Sequence, residues 1–230
     1  MDINFMSQSF PKLLSVLPIT LYLSFLGIAF GLILAIVITI IREKHIPFLT
    51  TFFNFYVSFF RGIPIIVQIY IVYYGLPRLL YSLTQHGAHA KAITLSGFLI
   101  GIIAFALNAS ANLSEAIKSA YHSVDSTQYE AAIATGLSPF TTIKRVIIPQ
   151  LLPNLIPNFS NIFLDLLKDT ALVYNIGIVE IMGKANILAS FGFNYLEAYL
   201  DALVIYLVVC YLFSNLFRFI EKDVRKKVFS

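Results

Sequence analysis

The residues best suited to bind a small molecule form a polar series within an apolar part of the chain. They follow one another at steps of four, three, four and three residues, and they are Asn154, Asn158, Asn161, Asp165 and Lys168. This spacing places all five side chains on one face of a helix. Asp165 or an asparagine on that face could meet the ammonium or amide group of a solute.

Two interpretations of this polar face remain open. An acidic side chain within a membrane costs about 2.5 kcal/mol or more unless it lines water or has a partner. The face could therefore line a water-filled path for a solute. It could instead hydrogen-bond to a neighbouring helix, with Asp165 paired to a nearby lysine or arginine.

Two further polar residues interrupt apolar stretches and are candidates for the same path. Arg61 is the only charged residue between Ile46 and Pro77. Its side chain either extends to the membrane surface and pairs in a structural role, which we favour, or controls the path of the solute. Asn108 follows Gly97 and Gly101 at helical steps. Small residues so placed let helices approach closely, which favours a packing seam with Asn108 as its polar member.

The composition is that of an integral membrane protein. Of the 230 residues, 58% are hydrophobic and 12% are charged, against roughly 25% charged in an ordinary soluble domain. Residues 13–41 contain no charge, a run longer than the ~20 residues that cross a bilayer and too long for a signal peptide. The net charge of +4 requires no nucleic-acid partner, because membrane proteins concentrate lysine and arginine at their cytoplasmic edges.

The sequence lacks the common catalytic and metal-binding signatures. HExxH, CxxC and GxSxG do not occur, and the single cysteine is Cys210. Gly177 and Gly183-Lys184 do not form a phosphate loop, because five residues separate the glycines and Ala185 replaces the magnesium-binding serine or threonine. We therefore predict no catalytic residue and no metal site, and any ATP hydrolysis must come from another chain.

Hydrophobicity predicts an all-α protein with about five membrane-crossing helices. The second apolar region, residues 46–77, is too long for one straight crossing. It is predicted to break or kink at 61–64, and residues 52–60 lead into that break. The predicted spans are 19–41, the region from this break to about residue 77, 92–111, 151–167 and 196–217. They lie in one transmembrane domain, 18–220, between a lead-in at 1–17 and a basic tail at 221–230.

The distribution of basic residues predicts the orientation. Five crossings place the two termini on opposite sides of the membrane. With the N-terminus outside, ten lysines and arginines lie on the inner side and five on the outer side. The positive-inside rule therefore predicts an extracytoplasmic lead-in, a cytoplasmic C-terminus and a cytoplasmic segment 126–153.

The segment 126–153 is polar and lies between two apolar regions. Thr127 and Glu130 have the T-x-x-E spacing of a capping box, so a helix is predicted to begin here. Gly136 is placed to adopt the left-handed conformation that ends this helix.

A second short helix is predicted to follow within the same segment. Ser138 and Pro139 supply an N-cap and a first-turn proline. Pro149 and Pro153 are predicted to end or kink this helix where apolar sequence resumes. The segment then forms a helix-turn-helix that projects from the membrane bundle.

The same segment resembles the EAA loop of bacterial ABC-importer permease subunits, whose pattern is EAA-x3-G-x9-I-x-L-P. The matching residues are Glu130, Ala131, Ala132, Gly136 and Pro149, with Val146 and Ile148 in place of the usual Ile and Leu. In that family the loop forms a coupling helix that docks on a cytoplasmic ATPase. A capped pair of surface helices without a partner would explain the capping residues but not the whole spacing.

Two further runs resemble the polar-amino-acid branch of these permeases. Residues 59–64, FFRGIP, are similar to its FFRGTP element, with Ile63 in place of threonine. Residues 167–172, LKDTAL, resemble its LKDTSL element, with Ala171 in place of serine. An acidic residue often follows the asparagine that corresponds to Asn161, but here Ile162 follows and the acid is Asp165.

The resemblance implies a type I ABC importer permease in a bacterial cytoplasmic membrane. Its expected partners are a cytoplasmic ABC ATPase dimer, a second identical or similar permease subunit and an extracytoplasmic substrate-binding protein. The chain itself would bind no cofactor, since ATP and magnesium are used by the ATPase. The expected substrate is a polar or zwitterionic amino acid, with cystine preferred over a cationic one. An ion-coupled secondary transporter and a membrane-embedded enzyme are the alternatives.

Overall fold

The computed structural model describes residues 1–84 and 95–229, and within them the fold is helical without strands. The α-helices are α1 (Ile3–Leu14), α2 (Leu17–Glu43), α3 (Leu49–Gly62), α4 (Ile65–Thr84), α5 (Gly97–His122), α6 (Ser126–Ala134), α7 (Pro139–Thr142), α8 (Ile148–Asp169), α9 (Ile181–Ser190) and α10 (Tyr195–Phe229). A π-helical turn covers Ile143–Ile147 and a 3-10 helix covers Thr170–Ile176. The predicted all-α class is confirmed.

Four helical stretches of the described residues are long and apolar enough to cross a membrane. They are Ile3–Glu43, Ile65–Leu83, Gly97–His122 and Tyr195–Val228. The fifth predicted span corresponds to α8, whose 22 residues are about 33 Å long but carry the polar face. The predicted start of the third span, Ala92, lies outside the described residues.

The predicted break in the second apolar region separates α3 from α4. Ile63 is extended, with φ −116° and ψ 136°, because the ring of Pro64 disfavours a helical residue before it. The Gln68 side chain donates to the carbonyls of Phe60 and Ile63, at 2.7 Å each. These bonds satisfy carbonyl groups that the end of α3 leaves without helical donors.

The centre of the bundle is the close packing of α2 against α5. Gly27 lies against Phe105, and Gly31 lies against Ala109 and the Ala106 carbonyl. This G-x3-G pair on α2, a pattern that lets two helix backbones approach, therefore packs on a different face of α5 from the predicted seam, whose Gly97 and Gly101 lie against Ile176 and Ile178. That pair is visible in the sequence but was not part of the prediction.

The last helix is longer than its predicted span. α10 continues to Phe229, so the basic residues expected as a separate tail extend the helix. Its middle packs on α8 through Phe163 and Phe213, whose ring centroids are 5.0 Å apart. Near its end, Arg225 Nη2 donates to the Pro153 carbonyl of α8 at 3.2 Å.

Candidate functional site

The first helix of the segment 126–153 is capped by a residue that the sequence prediction missed. Asp125 accepts a hydrogen bond from the Thr127 N–H at 2.9 Å, and α6 begins at Ser126. The predicted capping box of Thr127 and Glu130 is therefore wrong, because the carboxylate of Asp125 reaches the free N–H groups first. The same bond lowers the pKa of Asp125 below its usual value.

The turn and the second short helix form as predicted. Gly136 has φ +89°, the left-handed conformation that glycine adopts without steric cost. Ser138 then caps α7 by accepting from the Thr141 N–H at 3.3 Å, and Pro139 lies in the first turn.

The prolines do not end this second helix. Pro149 has no N–H, and its ring would clash with the Arg145 carbonyl in a regular α-helix. The chain widens into the π-turn Ile143–Ile147, where the Ile148 N–H bonds to the Ile143 carbonyl five residues back. The helix therefore continues into α8, which accommodates Pro153 and Pro157 in its interior.

The segment 126–153 presents small and apolar groups to its surroundings. Glu130, Ala131 and Gly136 are exposed, whereas Ala132 is buried against the bundle and Pro149 is half-buried at its base. Phe140 of α7 is 75% exposed. Two residues of the EAA triplet and the aromatic ring of Phe140 are thus all exposed on this segment, which suits contact with another protein.

All five members of the α8 polar face are exposed in the single chain. Asp165 Oδ1 lies 2.8 Å from Lys168 Nζ, and the two side chains are 69% and 56% exposed. Asn158 Nδ2 donates to the Asn154 carbonyl at 3.1 Å, and Asn154 Nδ2 donates to Ser123 Oγ at 2.8 Å. Asp165 does pair with a nearby lysine, but that lysine belongs to α8 itself, so this ion pair joins no second helix.

Asn108 and Arg61 contact other helices of the bundle. Asn108 Nδ2 donates to Gln68 Oε1 at 3.1 Å, which joins α5 to α4. Arg61 Nη1 lies 3.8 Å from Glu115 Oε2, and Arg42 Nη1 lies 2.6 Å from Glu115 Oε1. Both side chains thus join neighbouring helices of the bundle.

Glu115 and Glu180 are among the acidic residues of the bundle that the sequence prediction did not identify. Glu115 holds the two arginines, and its lone negative charge near the end of the third apolar span was the available signal. Glu180 is fully buried and accepts from the N–H groups of Met182 and Gly183, at 3.0 and 2.8 Å, and from Tyr206 Oη at 2.9 Å. It caps α9 and joins it to α10.

Comparison with known proteins identifies the family. The family described as binding-protein-dependent transport system inner membrane component matches residues 27–226. The chain is 33% identical to the probable amino-acid permease YxeN of Bacillus subtilis, over 98% of this chain and 96% of that one. It is 34% identical to the L-cystine transport system permease TcyL of the same organism, over 98% and 92%. The putative glutamine transport system permease GlnP of Rickettsia typhi is 30% identical, over 96% and 97%.

Solved structures agree with this assignment. The crystal structure of an amino acid ABC transporter with histidines matches with a TM-score of 0.84 and 30% identity, over 97% of this chain and 99% of that one. The inward-facing MetNI methionine transporter, at 19% identity and a TM-score of 0.70, shares the fold. The chain belongs to the binding-protein-dependent inner membrane component family and is the permease subunit of an amino-acid ABC importer rather than an enzyme.

Proposed function

We propose that this permease imports a zwitterionic amino acid, cystine or a similar one, along the polar face of α8. The observation that carries the proposal is the exposure of all five polar side chains of that face. The outer face of α10, by contrast, exposes leucine, valine and phenylalanine. Uncompensated polar groups are unfavourable against lipid, so the α8 face is expected to line water, with Asn108 and Arg61 as additional candidates beside the path.

The two charged side chains on α8 suit a substrate that carries both a positive and a negative charge. Asp165 and Lys168 lie 2.8 Å apart, close enough for one amino acid to meet both. The carboxylate of Asp165 would attract its ammonium group, and Lys168 would attract its carboxylate. The relatives named for cystine and for glutamine support a substrate with no net charge. Ile162, which stands where the family pattern often has an acidic residue, also supports a zwitterionic substrate over a cationic one.

The exposed face requires a second surface to enclose a path. A second permease subunit, identical to this chain or similar to it, would provide that surface by facing the exposed α8. The outward surface of the segment 126–153, with Glu130, Ala131 and Gly136, would dock on a cytoplasmic ATPase dimer that uses ATP and magnesium. The N-terminus would then lie outside, where a substrate-binding protein delivers the amino acid.

The substrate proposal is tested by uptake into vesicles that contain the permease with its ATPase and binding protein. Labelled cystine, glutamine and arginine are compared in the wild type and in Asp165→Asn and Lys168→Met. Each variant is expected to lose about tenfold in uptake of the preferred zwitterion, which corresponds to about 1.4 kcal/mol.

The matched control is the exposed ion pair of Asp223 and Lys227, 2.6 Å apart in α10. Asp223→Asn and Lys227→Met remove the same two charges at a place away from α8, so uptake should be unchanged in both variants. Unchanged uptake in Asp165→Asn would reject the α8 face as the substrate path. Uptake that continues without any ATPase would favour the ion-coupled alternative.

The docking surface is tested separately by the recovery of the ATPase with the tagged permease. Gly136→Trp adds bulk and also strains the left-handed turn, whereas Gly136→Asn keeps the turn, since asparagine tolerates this conformation. We expect Gly136→Trp to abolish recovery and Gly136→Asn to retain it. Normal recovery with tryptophan would reject the proposed surface.

A further inference from the structure

The loop between α9 and α10 carries two outward-projecting phenylalanines. Phe191 is 86% exposed and Phe193 is 84% exposed. Phe193 also has φ +57°, a left-handed conformation that is unfavourable for a residue with a Cβ atom. Backbone strain of this kind is concentrated at functional sites.

The loop lies at the N-terminal end of α10, next to a long stretch of exposed apolar residues. Exposed apolar residues occur along α10 from Leu196 through Leu207 to Leu216, a length of about 30 Å. This equals the thickness of the hydrocarbon core of a bilayer, about 30 Å. Arg218 follows at one end of this stretch, and the two phenylalanines precede it at the other end.

Neighbouring tyrosines agree with a boundary position. Tyr195 begins α10 and Tyr199 lies one turn further along it, with ring centroids 6.2 Å apart; the Tyr199 hydroxyl donates to Asn186 Oδ1 of α9 at 2.7 Å. Tyrosine is enriched where membrane lipids meet water, because its ring is apolar and its hydroxyl is polar. Aromatic rings therefore lie both in the loop and on the first turns of α10.

We propose that Phe191 and Phe193 form an aromatic tip that inserts among the phospholipids at the boundary of the hydrocarbon core. The tip is continuous with the exposed apolar residues of α10, which suit contact with lipid, and this favours lipid over a protein partner. This inference goes beyond the proposed function and depends on neither the substrate nor the ATPase. The tip lies at the end of α10 away from Arg225 and the segment 126–153, which is the extracytoplasmic end in the proposed orientation.

Because the chain contains no tryptophan, one substitution creates a specific fluorescent reporter. Phe191→Trp and Phe193→Trp are each prepared as the full chain in phospholipid vesicles. Quenching is measured with lipids brominated near the headgroup or deep in the acyl chain, and with acrylamide in the water. Leu207→Trp is the control for deep lipid and Phe140→Trp, in α7, is the control for water.

We expect the tip tryptophans to emit at shorter wavelength than Phe140→Trp and to lose most intensity with bromine near the headgroup. Leu207→Trp should respond most to deep bromine. Emission and acrylamide quenching equal to those of Phe140→Trp would overturn the proposal. If the emission then shifted to shorter wavelength when the substrate-binding protein is added, the tip would be a contact site for that protein. Short-wavelength emission without lipid quenching would show coverage by another copy of the chain and would also overturn it. Circular dichroism checks the helix content of each variant, and the two tip positions report independently.

Discussion

Arg225 of α10 donates from Nη2 to the main-chain carbonyl of Pro153 on α8, at 3.2 Å. The N–H that would bond to this carbonyl in a regular helix belongs to residue 157, which is a proline and has none. Arg225 therefore supplies from another helix the donor that α8 lacks. The bond ties the end of α10 to the part of α8 that continues directly from the segment 126–153.

The first prediction separates this bond from the general effect of a lost charge. Arg225→Met should destabilise the protein by about 1 kcal/mol, the usual cost of a partly buried carbonyl without a donor. Pro157→Ala restores an N–H within α8, so Arg225→Met should cost much less in that background. Thermal unfolding of the single and double variants in detergent measures the difference. Additive effects of the two substitutions would show that the carbonyl of Pro153 is not the reason Arg225 matters.

The relationship between Arg225 and Pro153 also shows what the sequence can predict. The helical steps from Asn154 to Lys168 depend only on local geometry, and the predicted polar face is present on α8. The turn at Gly136 and the break at Pro64 are likewise local and formed as expected. The partner of the Pro153 carbonyl is 72 residues away, and local periodicity carries no information about which distant side chain reaches it.

The cap of α6 illustrates a different limit. Asp125 and Thr127 are both good N-cap residues, and the choice between them depends on which oxygen reaches a free N–H in the folded turn. The T-x-x-E spacing favoured Thr127, but the carboxylate two residues earlier forms the bond. Likewise, the pairing of Arg61 with Glu115 requires knowledge of how α3 crosses α5, which follows from tertiary packing.

The second prediction concerns the contact of α2 with α5. A Cβ atom on Gly31 would lie 2.6 Å from the Ala109 Cβ and 3.1 Å from the Ala106 carbonyl oxygen. Gly31→Ala should therefore destabilise the protein by about 1–3 kcal/mol, the usual cost of overpacking. Gly75→Ala is the control, because a Cβ there meets no described atom within 4 Å and alanine favours a helix by about 0.5–1 kcal/mol over glycine. Unfolding midpoints that move equally for both variants would contradict close packing at Gly31.

The third prediction separates the two arginines that meet Glu115. The Arg42 side chain is only 9% exposed, whereas that of Arg61 is 50% exposed. Glu115→Gln removes the charge partner of a buried guanidinium and should cost about 2 kcal/mol. Arg61→Met should cost less than about 1 kcal/mol, since exposed ion pairs contribute little. The measurement is unfolding in detergent together with uptake. A stable Arg61→Met protein with strongly reduced uptake would move Arg61 from a structural role to the substrate path.

The last prediction concerns the pH dependence of α6. The backbone N–H of Thr127, followed by its side chain, lowers the pKa of Asp125 from its usual 3.8. A carboxylate with a lowered folded pKa stabilises the helix fully above its unfolded pKa, and that contribution is lost as the pH falls through the folded value. Amide exchange in residues 126–134, corrected for the intrinsic effect of pH, should therefore accelerate below about pH 3.8 in the wild type. Asp125→Asn keeps a capping oxygen without a titrating charge, so its corrected exchange should not change over the same range. Equal acceleration in both proteins would show that acid loosens α6 through another group.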